Sequence, residues 1–150
     1  MIVRRVVPED SAVLTQIALA AKRHWGYPER WIEIWTPQLT FSPDYFQSNE
    51  GWLAEIDGRP VAFYTLLEAN ETASIENLWV LPDFIGQGVG RTLFHHALDL
   101  LRQRGYTTVR LEADPNAMGF YEKMGMRQVG EHLSTVEGQP RILPIMEIDL

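Results

Sequence analysis

The stretch Ile85-Gly86-Gln87-Gly88-Val89-Gly90-Arg91 joins two segments of different periodicity. Residues 72–80 before it read as a strand, and Pro82 closes that strand off. After it, Val89, Leu93, Phe94, Ala97, Leu98 and Leu101 form the apolar stripe of a long helix. Arg102 and Arg104 suit the negative end of that helix, and Gly105 its stop. Glycines at 86, 88 and 90 let a backbone approach a ligand closely and adopt positive φ. The helix start aims unpaired N–H groups and a partial positive charge at the same place. A diphosphate is the natural occupant; a tight turn and nothing more is the other reading. No Gly-Lys-Ser/Thr follows, which excludes a P-loop. The spacing G-x-G-x-G, placed after four predicted strands, also fits poorly with a dinucleotide fingerprint.

Working outward, residues 2–7 read as a short strand, and Asp10 or Ser11 can cap a helix with Val13, Leu14, Ile17, Ala18 and Ala21 on one face. Gly26 stops it. A second helix starts near Pro28 and should end at Pro37, and Ser42-Pro43-Asp44 opens a further short turn or helix. Strands follow at 51–56, 60–68 and 72–80, the first two joined by the hairpin signal Asp57-Gly58. Beyond the long helix come a strand at 106–112 and a helix from Asp114-Pro115 to Gly125. A strand pair at 126–134 and 142–150 has Gly138 and Pro140 in its turn. The order β-α-α-β-β-β-α-β-α-β-β predicts a mixed sheet with helices against it, of the α/β (α+β) class, as a single domain over 1–150.

Hydrophobic residues make up 45% and charged residues 22% of the 150, ordinary values for a globular chain. Thirteen Lys and Arg against 20 Asp and Glu leave a net charge of −7, which argues against a nucleic-acid partner. Cysteine is absent, so disulfides, thiolate metal sites and a cysteine nucleophile are excluded together. There is no apolar run of membrane-spanning length and no secretory signal at the start, so a cytoplasmic protein without a membrane partner is expected. The histidines have no Asp or Glu spacing that suggests a metal site, and none is expected.

Ile75-Glu76-Asn77-Leu78-Trp79-Val80-Leu81-Pro82-Asp83-Phe84, followed by the glycine loop, resembles the acyl-CoA binding motif of the GNAT superfamily of N-acyltransferases. A second stretch, Asn116-Ala117-Met118-Gly119-Phe120-Tyr121-Glu122-Lys123-Met124-Gly125-Met126, is similar to the family's N-x-x-A-x-x-F-Y-E-K-x-G-F pattern. The two stand in the family's order and span about residues 73–127. Ile85 departs from the Arg or Gln usual at the first position of the phosphate loop. The resemblance implies a mostly antiparallel sheet flanked by helices, and acetyl-CoA as co-substrate. It implies an acetyl group passed to a primary amine, with a small-molecule amine as the acceptor, a peptide amine as the second choice, and room for a homodimer.

The resemblance also assigns roles. An alkylamine, with a pKa near about 10.4, is mostly ammonium at pH 7 and must lose a proton before it attacks a thioester. Glu76 would be the general base, often water-mediated in the family; a solvent-facing strand residue is the plainer reading. Tyr121 would protonate the leaving thiolate, or else be a core aromatic beside Phe120. Leu78, Trp79 and Val80 would carry a backbone bulge holding the thioester carbonyl and pantetheine. The N–H groups of Gln87, Gly88, Val89, Gly90 and Arg91, with Thr92 behind them, would take the diphosphate. Asp114 or Asn116 would touch the pantetheine arm, and Lys123 or Arg91 the 3′-phosphate. His24, Trp25, Tyr27 and Trp31, with Trp35 following, would either line an acceptor pocket or pack two helices together. With Glu29, Glu33 and Asp44 nearby, such a pocket would suit a cationic amine. A degenerate member that binds acyl-CoA as a sensor or interaction module is the alternative function.

Overall fold

The structure, a computed structural model, describes residues 1–150. Seven strands form one sheet in the order β1-β2-β3-β4-β5-β7-β6: β1 (Ile2–Arg5), β2 (Gly51–Ile56), β3 (Arg59–Ala69), β4 (Thr72–Val80), β5 (Thr108–Glu112), β6 (Arg127–Val136) and β7 (Gln139–Asp149). Every neighbouring pair is antiparallel except β4–β5. Helices α1 (Ser11–His24) and α2 (Glu29–Leu39) cover one face, and α4 (Val89–Gln103) with α5 (Met118–Lys123) the other; α3 (Tyr45–Ser48) is a single turn. β3 is buried on both faces, with Phe63 packed among α1 and α2 residues and Ala62, Tyr64 and Leu66 among those of α4. A central strand can be apolar on both sides because helices cover both. No helix is long and apolar enough to cross a membrane.

The Asp57-Gly58 turn has φ of +53° and +75°, the left-handed pair that a two-residue hairpin requires. Three expectations are corrected. Pro37 does not end α2, which runs on to Leu39. The hydroxyls of Thr36 and Thr40 donate to the carbonyls of Ile32 and Thr36, and burial of Leu39 holds the last half-turn against the sheet. Pro140 lies inside β7, opposite Thr135, and the turn is Glu137-Gly138 alone. β5 pairs with β7 only from Ile145 onward, so the missing N–H of Pro140 interrupts no second ladder. Finally, Asp10 stands at the N-cap position of α1, but its side chain makes no capping hydrogen bond to the helix. Its carboxylate accepts from the Val7 N–H and from Arg4, and so closes the turn before the helix.

The feature that positions everything else lies between β4 and β5. They pair only at Ala73–Val109 and Ser74–Arg110, then separate. Beyond that point β4 is held on its β3 side alone, and the parting strands open a cleft through the sheet.

Candidate active site

Two cavities meet in this cleft. The smaller, about 310 Å³, is lined by Leu78, Trp79 and Val80 of β4, the glycine loop, Arg91, and Asn116, Phe120 and Tyr121. The larger, about 890 Å³, is lined by Lys22, Trp35, Tyr45, Arg110, Arg141 and others on the α1–α2 side. Ile75, Glu76, Asn77, Trp79, Glu112 and Asp114 border both.

At the smaller cavity, Gly86 and Gly88 sit at φ +82° and +83°, a conformation that turns the chain sharply into α4. No acceptor within the protein takes the backbone N–H of Gln87, Gly88, Val89, Gly90 or Arg91; the first satisfied one is Thr92, which donates to Gly88. Five free donors at a helix start are a receptor for an anion. Gly90 packs close to Phe120 and Val80. The Val89 side chain is core, the Thr92 hydroxyl donates to the Gly88 carbonyl, and the Gln87 amide to that of Asp83. Backbone rather than side chains therefore faces the ligand space. Arg91 borders this cavity and Lys123 does not. The unpaired edge of β4 thus offers free backbone amide groups to an extended ligand, and the donor cluster offers a site for an anion.

The sheet irregularity expected at Leu78–Val80 falls earlier. Those three residues pair in regular register with Tyr64, Phe63 and Ala62, while Thr65 faces Asn77 and Leu66 faces Ile75. Glu76 is thus the extra residue of a β-bulge, the device that re-aims a side chain, and it opens onto both cavities. Partial burial raises its pKa, and the neighbouring Glu112 carboxylate raises it further. Tyr121 is buried, and burial pushes its phenol well above the ordinary value, with the Asp114 charge adding to the effect. Its hydroxyl engages no hydrogen bond; since no buried polar atom is left without a partner, that oxygen opens onto the smaller cavity.

Asp114 is occupied within the protein. It accepts from Lys22 Nζ at 2.7 Å, from the Tyr27 hydroxyl at 2.9 Å and from the Asn116 N–H at 2.9 Å. Burial would raise its pKa, but the Lys22 charge and these hydrogen bonds hold it below the usual carboxylate range. The Asn116 amide donates to Tyr27 and Asp114, leaving its carbonyl oxygen without a protein donor.

The aromatic segment is distributed differently from expectation. His24 is exposed and borders neither cavity, Trp25 borders the smaller one, and Tyr27 supports Asp114 from behind. Trp31 donates to Glu137 and lines neither of these two cavities. Helical spacing brings Trp35, four residues further on, to the larger cavity instead. Glu29 pairs with Arg23, and neither Glu33 nor Asp44 reaches this cavity. The charges beside the aromatic rings are the cations Lys22 and Arg141. Lys22 was invisible in the sequence as anything but a helix residue, and Arg141 as anything but part of a turn.

These features coincide with known proteins. A family profile described as "Acetyltransferase (GNAT) family" matches residues 15–126, and the chain belongs to this family. The peptidyl-lysine N-acetyltransferase YjaB of Salmonella typhimurium is 34% identical over 106 residues, 70% of this chain and 68% of that protein. An uncharacterized N-acetyltransferase of Methanocaldococcus jannaschii is 30% identical over 118 residues, which are 71% of this chain but 47% of the other. The crystal structure of a GCN5-related N-acetyltransferase from Rhodopseudomonas palustris superposes with a TM-score of 0.83 at 25% identity, covering 99% of this chain and 95% of that one.

Proposed function

We propose that the protein transfers the acetyl group of acetyl-CoA to a primary amine, with Glu76 as base and Tyr121 as acid. The observation that carries this reading is one cleft bordered by Gly88, Gly90 and Arg91 of the free-N–H loop, by the bulged Glu76 and by the unbonded Tyr121 hydroxyl. Acetyl-CoA, when bound, supplies an acetyl group activated as a thioester. The chain's residues do the rest. The loop N–H groups hold the diphosphate, and the free edge of β4 holds the pantetheine arm and fixes the thioester beside Glu76. The Glu76 carboxylate takes the ammonium proton of the acceptor, directly or through water, as the amine nitrogen bonds to the carbonyl carbon. Burial and the Glu112 carboxylate raise its pKa, which makes its carboxylate a stronger base than that of an exposed glutamate. As the carbon–sulfur bond breaks, Tyr121 gives its proton to the departing thiolate.

An acyl-CoA sensor without turnover would have no use for a carboxylate and a phenol both open to the cleft, so the transferase is favoured. The acceptor is a small-molecule amine; a peptide amine, as the name of the Salmonella relative describes, is the second choice. The test is release of free thiol from acetyl-CoA over a panel of amines. The chain has no cysteine, so the protein contributes no thiol of its own. Amine-dependent thiol release is expected; tight CoA binding with no release for any amine would favour the sensor.

A further inference from the structure

Lys22 and Arg141 form a cationic floor at the α1–α2 end of the larger cavity. Their side chains are 10% and 13% exposed, and the nearest carboxylate, Asp114, is shared: 2.7 Å from Lys22 Nζ and 3.7 Å from Arg141 Nη2. Both cations lie against Trp35, Lys22 Nζ at 4.4 Å from the ring centre and the Arg141 guanidinium carbon at 4.5 Å. Two positive charges and one negative charge leave this desolvated corner one anion short.

The hydrogen-bond ledger agrees. A guanidinium has five N–H donors in a planar fork. Only Nη2 of Arg141 finds an acceptor, the Tyr27 hydroxyl at 3.0 Å. No buried polar atom lacks a partner, so the remaining Arg141 nitrogens are accessible, and the space they open onto is the larger cavity. Lys22 likewise spends one of its donors on Asp114. Arg141 reaches this position because β7 has no β5 partner before Ile145, which leaves the strand bordering the cavity there. Burial lowers the Lys22 pKa despite Asp114, an effect that an added anion would oppose. Neither cation borders the smaller cavity, so the missing anion belongs to the acceptor and not to CoA.

The geometry points to an acceptor that carries an oxyanion, a carboxylate or a phosphoryl group, in addition to its amine: the anion on Lys22 and Arg141, the amine toward Glu76, which lines the same cavity. This deepens the transferase reading and rests on it. A guanidinium fork and a planar oxyanion form paired charge-assisted hydrogen bonds, which select against neutral analogues.

The test is a matched panel of acceptors assayed by thiol release. One arm holds free amino acids, each beside its carboxamide and its decarboxylated amine. The other holds O-phosphoethanolamine and 2-aminoethylphosphonate beside ethanolamine. Members of one anionic arm should be preferred over their neutral counterparts by roughly 10- to 100-fold in kcat/KM. Arg141→Gln should collapse that ratio mainly through KM, and Arg141→Lys should restore part of it. CoA binding by calorimetry checks that each variant is folded. Equal use of anionic and neutral acceptors, or an equal loss for both in Arg141→Gln, overturns the proposal. So does a protein that binds CoA yet neither acetylates nor, in the CoA complex, binds any anionic member. If CoA itself neither binds nor is consumed, it is the transferase reading that fails.

Discussion

Lys22 Nζ and Asp114 Oδ2 lie 2.7 Å apart although 92 residues separate them, tying helix α1 to the chain leaving β5 where the two cavities meet. Removing the carboxylate would strand a buried ammonium. Asp114→Asn should therefore cost roughly 3–5 kcal/mol, read by urea denaturation. The sign of the pH effect follows from the Asp114 pKa, which is lowered in the folded state. A depressed carboxylate contributes stability above its unfolded value of about 3.9, and that contribution is lost as pH falls through the folded value. The wild type should lose stability below about pH 4, and Asp114→Asn less of it over the same interval.

The glycine loop supplies a prediction that separates a receptor from a turn. Gly88 has open space around a notional Cβ, so only its φ of +83° opposes substitution. Gly88→Val forces a β-branched residue into that region at roughly 1–3 kcal/mol, and the loop relieves the strain by moving its N–H groups. CoA affinity should fall about tenfold or more by calorimetry while the far-UV circular dichroism stays native. Unchanged affinity would mean that the loop only turns the chain.

This loop was legible in the sequence because its signal is local: three glycines and the helix stripe that follows them. The strand order and helix placement were legible for the same reason, each element carrying its own periodicity. What escaped is non-local. The role of Lys22 depends on Asp114 and that of Arg141 on Tyr27, partners 92 and 114 residues away, and no pattern along the chain links them. The bulge at Glu76 depends on the register between two strands, which neither strand encodes alone. Pro37 and Pro140 mislead because burial of Leu39 and the short reach of β5 outweigh what a proline does locally.

Tyr121→Phe keeps the ring and removes the hydroxyl that opens on the smaller cavity. CoA binding should stay within about twofold, and the single-turnover rate should drop by roughly 10²-fold or somewhat less, since a thiolate already leaves readily. Burial pushes the phenol pKa well up, so the phenol remains a proton donor throughout the neutral and moderately alkaline range. The wild-type rate should accordingly show no loss from Tyr121 ionisation up to about pH 10. An alkaline fall that Tyr121→Phe abolishes would assign the phenol a different protonation state.

The pH–rate profile of Glu76→Gln, taken under single-turnover conditions so that product release does not mask chemistry, tests the central claim most directly. The wild-type profile should carry an acid limb set above the ordinary glutamate value, because burial and Glu112 both raise the Glu76 pKa. In Glu76→Gln that limb should vanish and the neutral-pH rate should fall roughly 10²- to 10⁴-fold. The gap to wild type should narrow as pH approaches the acceptor's own pKa, where free amine no longer needs a base. CoA affinity should be unchanged. A variant with the wild-type rate and the wild-type acid limb would contradict the account, leaving binding and orientation alone to carry the transfer.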